Sequence, residues 1–142
     1  MNYIITGHGH FSTGLQSSVK LITGLGDKLA AIDFEENMSS EDLKAKLVDQ
    51  LNSNGENEQT IIFTDIAGGT PFNQSVLLKN DNDNIEVIAG TNLPILVEAV
   101  LSQERESEPL SRQLVDSGKN NIKKYEEKGN KKSQDFDSDD GI

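Results

Sequence analysis

Residues 60–73 read Thr60-Ile61-Ile62-Phe63-Thr64-Asp65-Ile66-Ala67-Gly68-Gly69-Thr70-Pro71-Phe72-Asn73. The first five residues are β-branched or aromatic, a short apolar run suited to a strand buried on both faces. Asp65 follows at once, and a pair of glycines then gives way to Thr70-Pro71, the start signal of a helix. Strand, polar turn and helix thus succeed one another within one short segment. That succession marks an α/β unit, with its chemistry expected where the strand ends.

The same grammar extends in both directions. Upstream, Tyr3-Ile4-Ile5-Thr6 is a β-rich run ending in Gly7-His8-Gly9-His10, and Leu15, Val19 and Leu21-Ile22 continue at helical spacing to Gly24. Leu29–Phe34 reads as a second strand. Ser39-Ser40-Glu41-Asp42 supplies N-cap chemistry for a helix in which Leu43, Leu47 and Leu51 recur every fourth residue. Downstream, Ile85–Ala89 reads as a fourth strand closed by Gly90, Pro94 opens a helix, and a further helix is expected from about Glu108 to Lys128. Alternating strands and helices require right-handed crossovers. They predict an α/β fold, with a mostly parallel central sheet covered by helices on both faces.

Composition narrows the function. The 142 residues suit one domain, and the formal net charge of −11 repels nucleic-acid backbones and anionic membranes. No apolar run is long enough to span a bilayer, and no secretory leader is legible, so a cytoplasmic, soluble protein is expected. With no cysteine, thiol catalysis and thiolate metal sites are excluded. The negative charge lies in residues 1–118, because residues 119–142 are neutral in sum. One domain is expected over residues 1–128, followed by a polar, disordered tail at 129–142 with too few apolar groups to offset its ordering entropy.

Three strand ends converge on the predicted active edge: Gly7-His8-Gly9-His10, Asp65 through Asn73, and Gly90 through Pro94. His8 lies between glycines that let another molecule approach, although a tight strand–helix turn would account for the same glycines. Asp65 suits a capping or turn aspartate. It equally suits a carboxylate that accepts one imidazole N–H, fixes the tautomer and leaves the other nitrogen nucleophilic. Gly68, Gly69 and Thr70 open a helix whose unpaired N–H groups and dipole suit a phosphoryl group or another oxyanion. No Walker lysine follows, and Gly7-x-Gly9 lacks the third glycine of a dinucleotide fingerprint. His8, His10 and Asp65 could be imagined as a metal set, but there is no further histidine to support it and acidic residues are common throughout. No nucleophile elbow of the serine hydrolases is present.

These segments resemble the mannose-fructose-sorbose family of IIA domains of the bacterial sugar phosphotransferase system. The resemblance is carried by TGHGHFSTGLQSSVKLITG, IDFEENMSSEDLKAKL, IIFTDIAGGTPFNQS and VIAGTNLPILVEAV, in family order over most of residues 1–101. It implies a phosphohistidine carrier with no metal or other cofactor. HPr would phosphorylate His8, and the IIB component would receive the phosphoryl group for sugar entering through membrane components IIC and IID. Asp65 would orient His8 with its Nδ1–H, leaving Nε2 to react. Gly68, Gly69 and Thr70 would hold the phosphoryl oxygens, and His10 would carry no catalytic role. The resemblance also implies a homodimer in which an edge strand can be exchanged, for which the segment Leu101–Leu110 is a weak candidate. Two other readings are an IIA-like carrier feeding a dihydroxyacetone kinase and a non-enzymatic anion-binding module.

Overall fold

The computed structural model describes residues 1–128; the tail expected at 129–142 lies outside the described residues. Four strands form one parallel sheet: β1 (Asn2–His8), β2 (Leu29–Phe34), β3 (Thr60–Thr64) and β4 (Ile85–Ile88). Their spatial order is β2-β1-β3-β4. Five helices connect and cover them: α1 (Phe11–Thr23), α2 (Ser40–Asn54), α3 (Thr70–Asn80), α4 (Leu93–Leu101) and α5 (Ser107–Asn120). The α/β architecture with a covered parallel sheet is therefore as the alternating pattern predicts.

Period-two alternation sorts the strand side chains between two cores. Tyr3, Ile5, Ile61 and Phe63 face one core, which α4 and α5 close with Leu96, Ala99, Leu110 and Leu114 and α1 closes with Val19. Ile4, Ile62 and Ile85 face the other, closed by Leu43 and Leu47 of α2 and by Leu78 of α3. Each fully buried leucine or isoleucine contributes about 1.5–3 kcal/mol, so β1 and β3, buried on both faces, anchor the sheet.

Local signals start and stop the helices. Ser39 and Asp42 form a reciprocal capping box at α2, and Asn92 caps α4 by accepting the Ile95 N–H. Gly24, in the left-handed region, ends α1.

Several boundaries differ from the sequence expectations. β1 runs on through Gly7 and His8, because these residues pair with Asp33 and Phe34 of β2. Thr70 is already helical, and Gly69 is the N-cap of α3. α5 ends at Asn120 rather than near Lys128, where the apolar spacing gives out after Leu114. The segment Leu101–Leu110 forms no strand: Leu101 closes α4, and α5 begins at Ser107, whose N–H and hydroxyl both donate to Gln59 Oε1.

The strand order places the functional edge. From β1 the chain moves to β2 on one side, then crosses to β3 on the other. The crevice between the carboxyl ends of β1 and β3 is the topological switch point, where open α/β sheets bind ligands. His8 ends β1, and Asp65 follows β3 directly.

Candidate active site

The pairing of β1 with β3 brings Asp65 beneath His8. The carboxylate accepts the His8 backbone N–H at 2.8 Å and faces its Nδ1 at 2.7 Å, both through Oδ2, while Oδ1 accepts the Ile66 N–H at 2.8 Å. Burial by itself would raise the Asp65 carboxyl, whose side chain is 13% exposed. The hydrogen bonds from the His8 N–H, its imidazole and the Ile66 N–H outweigh that penalty and hold it below the usual carboxylate range. An ionised carboxylate only accepts hydrogen bonds, so the proton between the two groups sits on Nδ1. Nε2 then carries the lone pair, in a side chain 47% exposed.

Two further contacts limit the ring. Phe34, the register partner of His8 on β2, meets it edge-on with centroids 5.7 Å apart and planes at 74°. Gly69 also lies against the ring, where an added Cβ would stand 2.9 Å from His8 Cε1. Only glycine lets α3 begin this close to the imidazole. Gly68 is needed for a different reason, since its φ of 87° is a left-handed conformation that side chains disfavour.

The loop between β3 and α3 is tied down from within. Gly69 N–H donates to the Ile66 carbonyl at 3.2 Å, and Asn73 Nδ2 donates to the Gly68 carbonyl at 3.0 Å. The first N–H groups of α3 therefore point from a fixed helix end beside His8. The Thr70 hydroxyl makes no hydrogen bond among the described residues and stays available to a ligand. A nucleophilic imidazole oriented by a carboxylate, beside an oxyanion seat, can accept and hold a phosphoryl group.

The structure thus brings His8, Asp65, Gly68, Gly69 and Thr70 to one edge. It separates the two histidines. His10 Nδ1 faces Asp33 Oδ2 at 3.1 Å, so each imidazole has its own carboxylate, and His8, His10 and Asp65 do not converge as a metal set. Three neighbouring roles were not legible in the sequence. Phe34 packs on His8, Asn73 braces the glycine loop, and Asp33 caps α1 from across the sheet by accepting the Thr13 N–H and the Ser12 and Thr13 hydroxyls. Asn73 belongs to a recognisable motif, but Phe34 and Asp33 acquire their roles only from the β1–β2 register.

Comparison with known proteins agrees with this architecture. The family model described as PTS system fructose IIA component matches residues 2–115. The chain is 32% identical over 104 residues to the PTS system fructose-specific EIIA component of Bacillus subtilis, covering 73% of this chain and 71% of that protein. Among solved structures, the mannose/sorbose specific IIA subunit of Enterococcus faecalis superposes with a TM-score of 0.85 at 25% identity, over 90% of this chain and 96% of that one. The phosphotransferase system component EIIA of Streptococcus agalactiae superposes at 0.80 with 33% identity, over 87% and 95%. These relatives favour the sugar-system reading over the dihydroxyacetone-kinase one. Matched over most of its length in sequence and in fold, the chain belongs to the mannose-type EIIA family, the IIA components of the sugar phosphotransferase system.

Proposed function

We propose that the protein is a phosphohistidine carrier that accepts a phosphoryl group from phosphorylated HPr on His8 Nε2 and passes it to a histidine of a IIB component. The observation that carries this reading is the 2.7 Å contact of His8 Nδ1 with an Asp65 carboxylate held in its ionised form. In the forward step Nε2 forms a bond to phosphorus while the bond from phosphorus to the donor imidazole breaks. The Nδ1 proton stays on the ring, where Asp65 offsets the positive charge that develops during attack. Gly68, Gly69 and Thr70 receive the phosphoryl oxygens at the α3 N-terminus. Transfer between two imidazoles is nearly symmetric, so positioning and charge compensation are the main demands on the protein.

The half-exposed imidazole suits this role, because two proteins must bring their histidines together over one phosphorus. Sugar would never touch this domain, and the membrane components IIC and IID would be served only through IIB. No helix of the described residues is long and apolar enough to cross a membrane, and we place the carrier in the cytoplasm beside its partners. We also propose a homodimer, since β4 is an edge strand open to pairing. Sedimentation as a monomer at micromolar concentration would contradict it.

The test is incubation with phosphorylated HPr, followed by detection of acid-labile phosphate. Phosphate should appear on the wild type and on His10→Ala, and be absent from His8→Ala while its melting curve stays cooperative. Phosphate retained on His8→Ala would overturn the assignment, and no phosphate on the wild type would leave an anion-binding module as the better reading.

A further inference from the structure

Beside the carrier histidine, on the α1 side of the sheet, lies a second cluster that phosphoryl transfer does not use. We propose that His10, Asp33 and Glu35 form a binding site for a divalent transition metal of the zinc class. One ligand atom from each residue lies within 4.8 Å of the other two. Asp33 lies near the end of β2, and Glu35 follows directly after its last residue, Phe34. His10 joins them from the β1–α1 turn, where Gly9 N–H donates to the Phe34 carbonyl at 2.8 Å.

The donor geometry fits a small ion. His10 Nδ1 and Asp33 Oδ2 are 3.1 Å apart. Neighbouring ligands of a tetrahedral zinc with bonds near 2.0–2.1 Å stand about 3.3 Å apart. The metal would take the place of the proton between these atoms, the neutral imidazole then carrying its proton on Nε2, and Glu35 would swing in from an exposed position. Water would complete the coordination.

Supporting bonds hold the central ligand. Asp33 Oδ1 accepts the Ser12 hydroxyl and the Thr13 N–H, and Oδ2 accepts the Thr13 hydroxyl at 2.7 Å. This fixes the carboxylate, as outer-shell partners do at metal sites. Charge points the same way. Among the described residues Asp33 has His10 as its ion-pair partner and Glu35 has none, which leaves two adjacent carboxylates without a lysine or arginine. One imidazole among the donors selects zinc over magnesium, which prefers oxygen ligands and keeps its waters.

The experiment is calorimetric titration of the full chain with zinc chloride, at a pH where imidazole is neutral. One saturable site is expected, and an equal concentration of magnesium should not displace the ion. His10→Ala and Glu35→Gln, both at exposed positions where folding is not at stake, should each weaken zinc binding at least about tenfold. His8→Ala should keep the wild-type zinc affinity. Wild-type affinity in both of the first two variants would assign the ion to other acidic groups and overturn the proposal. Loss of binding in His8→Ala, or no saturable binding at millimolar zinc, would overturn it equally.

Discussion

Asp65 is the residue on which geometry and chemistry meet. Its two oxygens serve three donors, two of them backbone N–H groups. Asp65→Asn keeps the shape but removes the charge, and the amide can turn its NH₂ toward the ring. The variant should accept phosphate more slowly by about 2–4 kcal/mol in the barrier, the usual worth of a preorganised polar group, in a timed assay with phosphorylated HPr. Three hydrogen bonds to a charged acceptor set the expected loss of stability at about 1–3 kcal/mol, read from a denaturant titration. The folded Asp65 carboxyl lies below its ordinary value, so its bonds contribute stability above about pH 3.9, and that contribution disappears as pH falls through the lower folded value. Melting temperature should therefore drop more steeply in acid for the wild type than for Asp65→Asn; parallel curves would show that the pair is not linked to folding. Gly69→Ala tests the fit of the α3 start against the ring. Its new methyl would meet His8 Cε1 and shift the ring, so acceptance should fall at least about tenfold, the effect of a small misplacement, while the fold persists.

At the scale of elements, local chemistry was legible wherever a cap or a period decides the outcome. The Ser39-x-x-Asp42 box and the leucine spacing of α2 are sequence features, and both stand in the structure. Ser39→Ala should lower the stability of the protein by about 1 kcal/mol in urea unfolding and leave phosphate acceptance unchanged, since His8 and Asp65 hydrogen-bond to each other and not to α2. A change in acceptance rate would mean that α2 sets the position of the site. Element ends were less legible. Thr70 has the chemistry of an N-cap, yet Gly69 takes that place, because the helix must start tight against the imidazole. The expected extension of α5 to Lys128 does not form, because the polar residues after Asn120 offer no apolar face to bury.

For the whole molecule, the core and the proposed site bound how much of the chain is needed. The proposed site residues lie between His8 and Thr70, and the last core residue of the final helix is Leu114. A chain ending at Gly129 should therefore melt within a few degrees of the full chain and accept phosphate at the same rate. A large fall in either would show that residues beyond Gly129 dock on the domain or on a partner. The net charge of −11 acts at this scale too, since it would attract a basic partner surface over long range. Phosphate acceptance should slow as salt is raised from about 0.01 M to 0.15 M, where the screening length shrinks from about 30 to 8 Å.

The amino-acid sequence alone determined the α/β class, the order of elements, the caps of α2, and the loop that carries Asp65, Gly68, Gly69 and Thr70. Each of these depends on neighbours within a few residues, through period, capping or turn chemistry. Tertiary structure decided which strands lie side by side, and with that which distant residues meet. His8 and Asp65 are 57 positions apart and become partners because β1 pairs with β3; Asp33 and Phe34 gain their roles because β1 also pairs with β2. The two histidines, two positions apart in the chain, were divided between different carboxylates by the same pairing. Parallel register is set by the burial of both sheet faces together, a property of the assembled layers that no local segment contains.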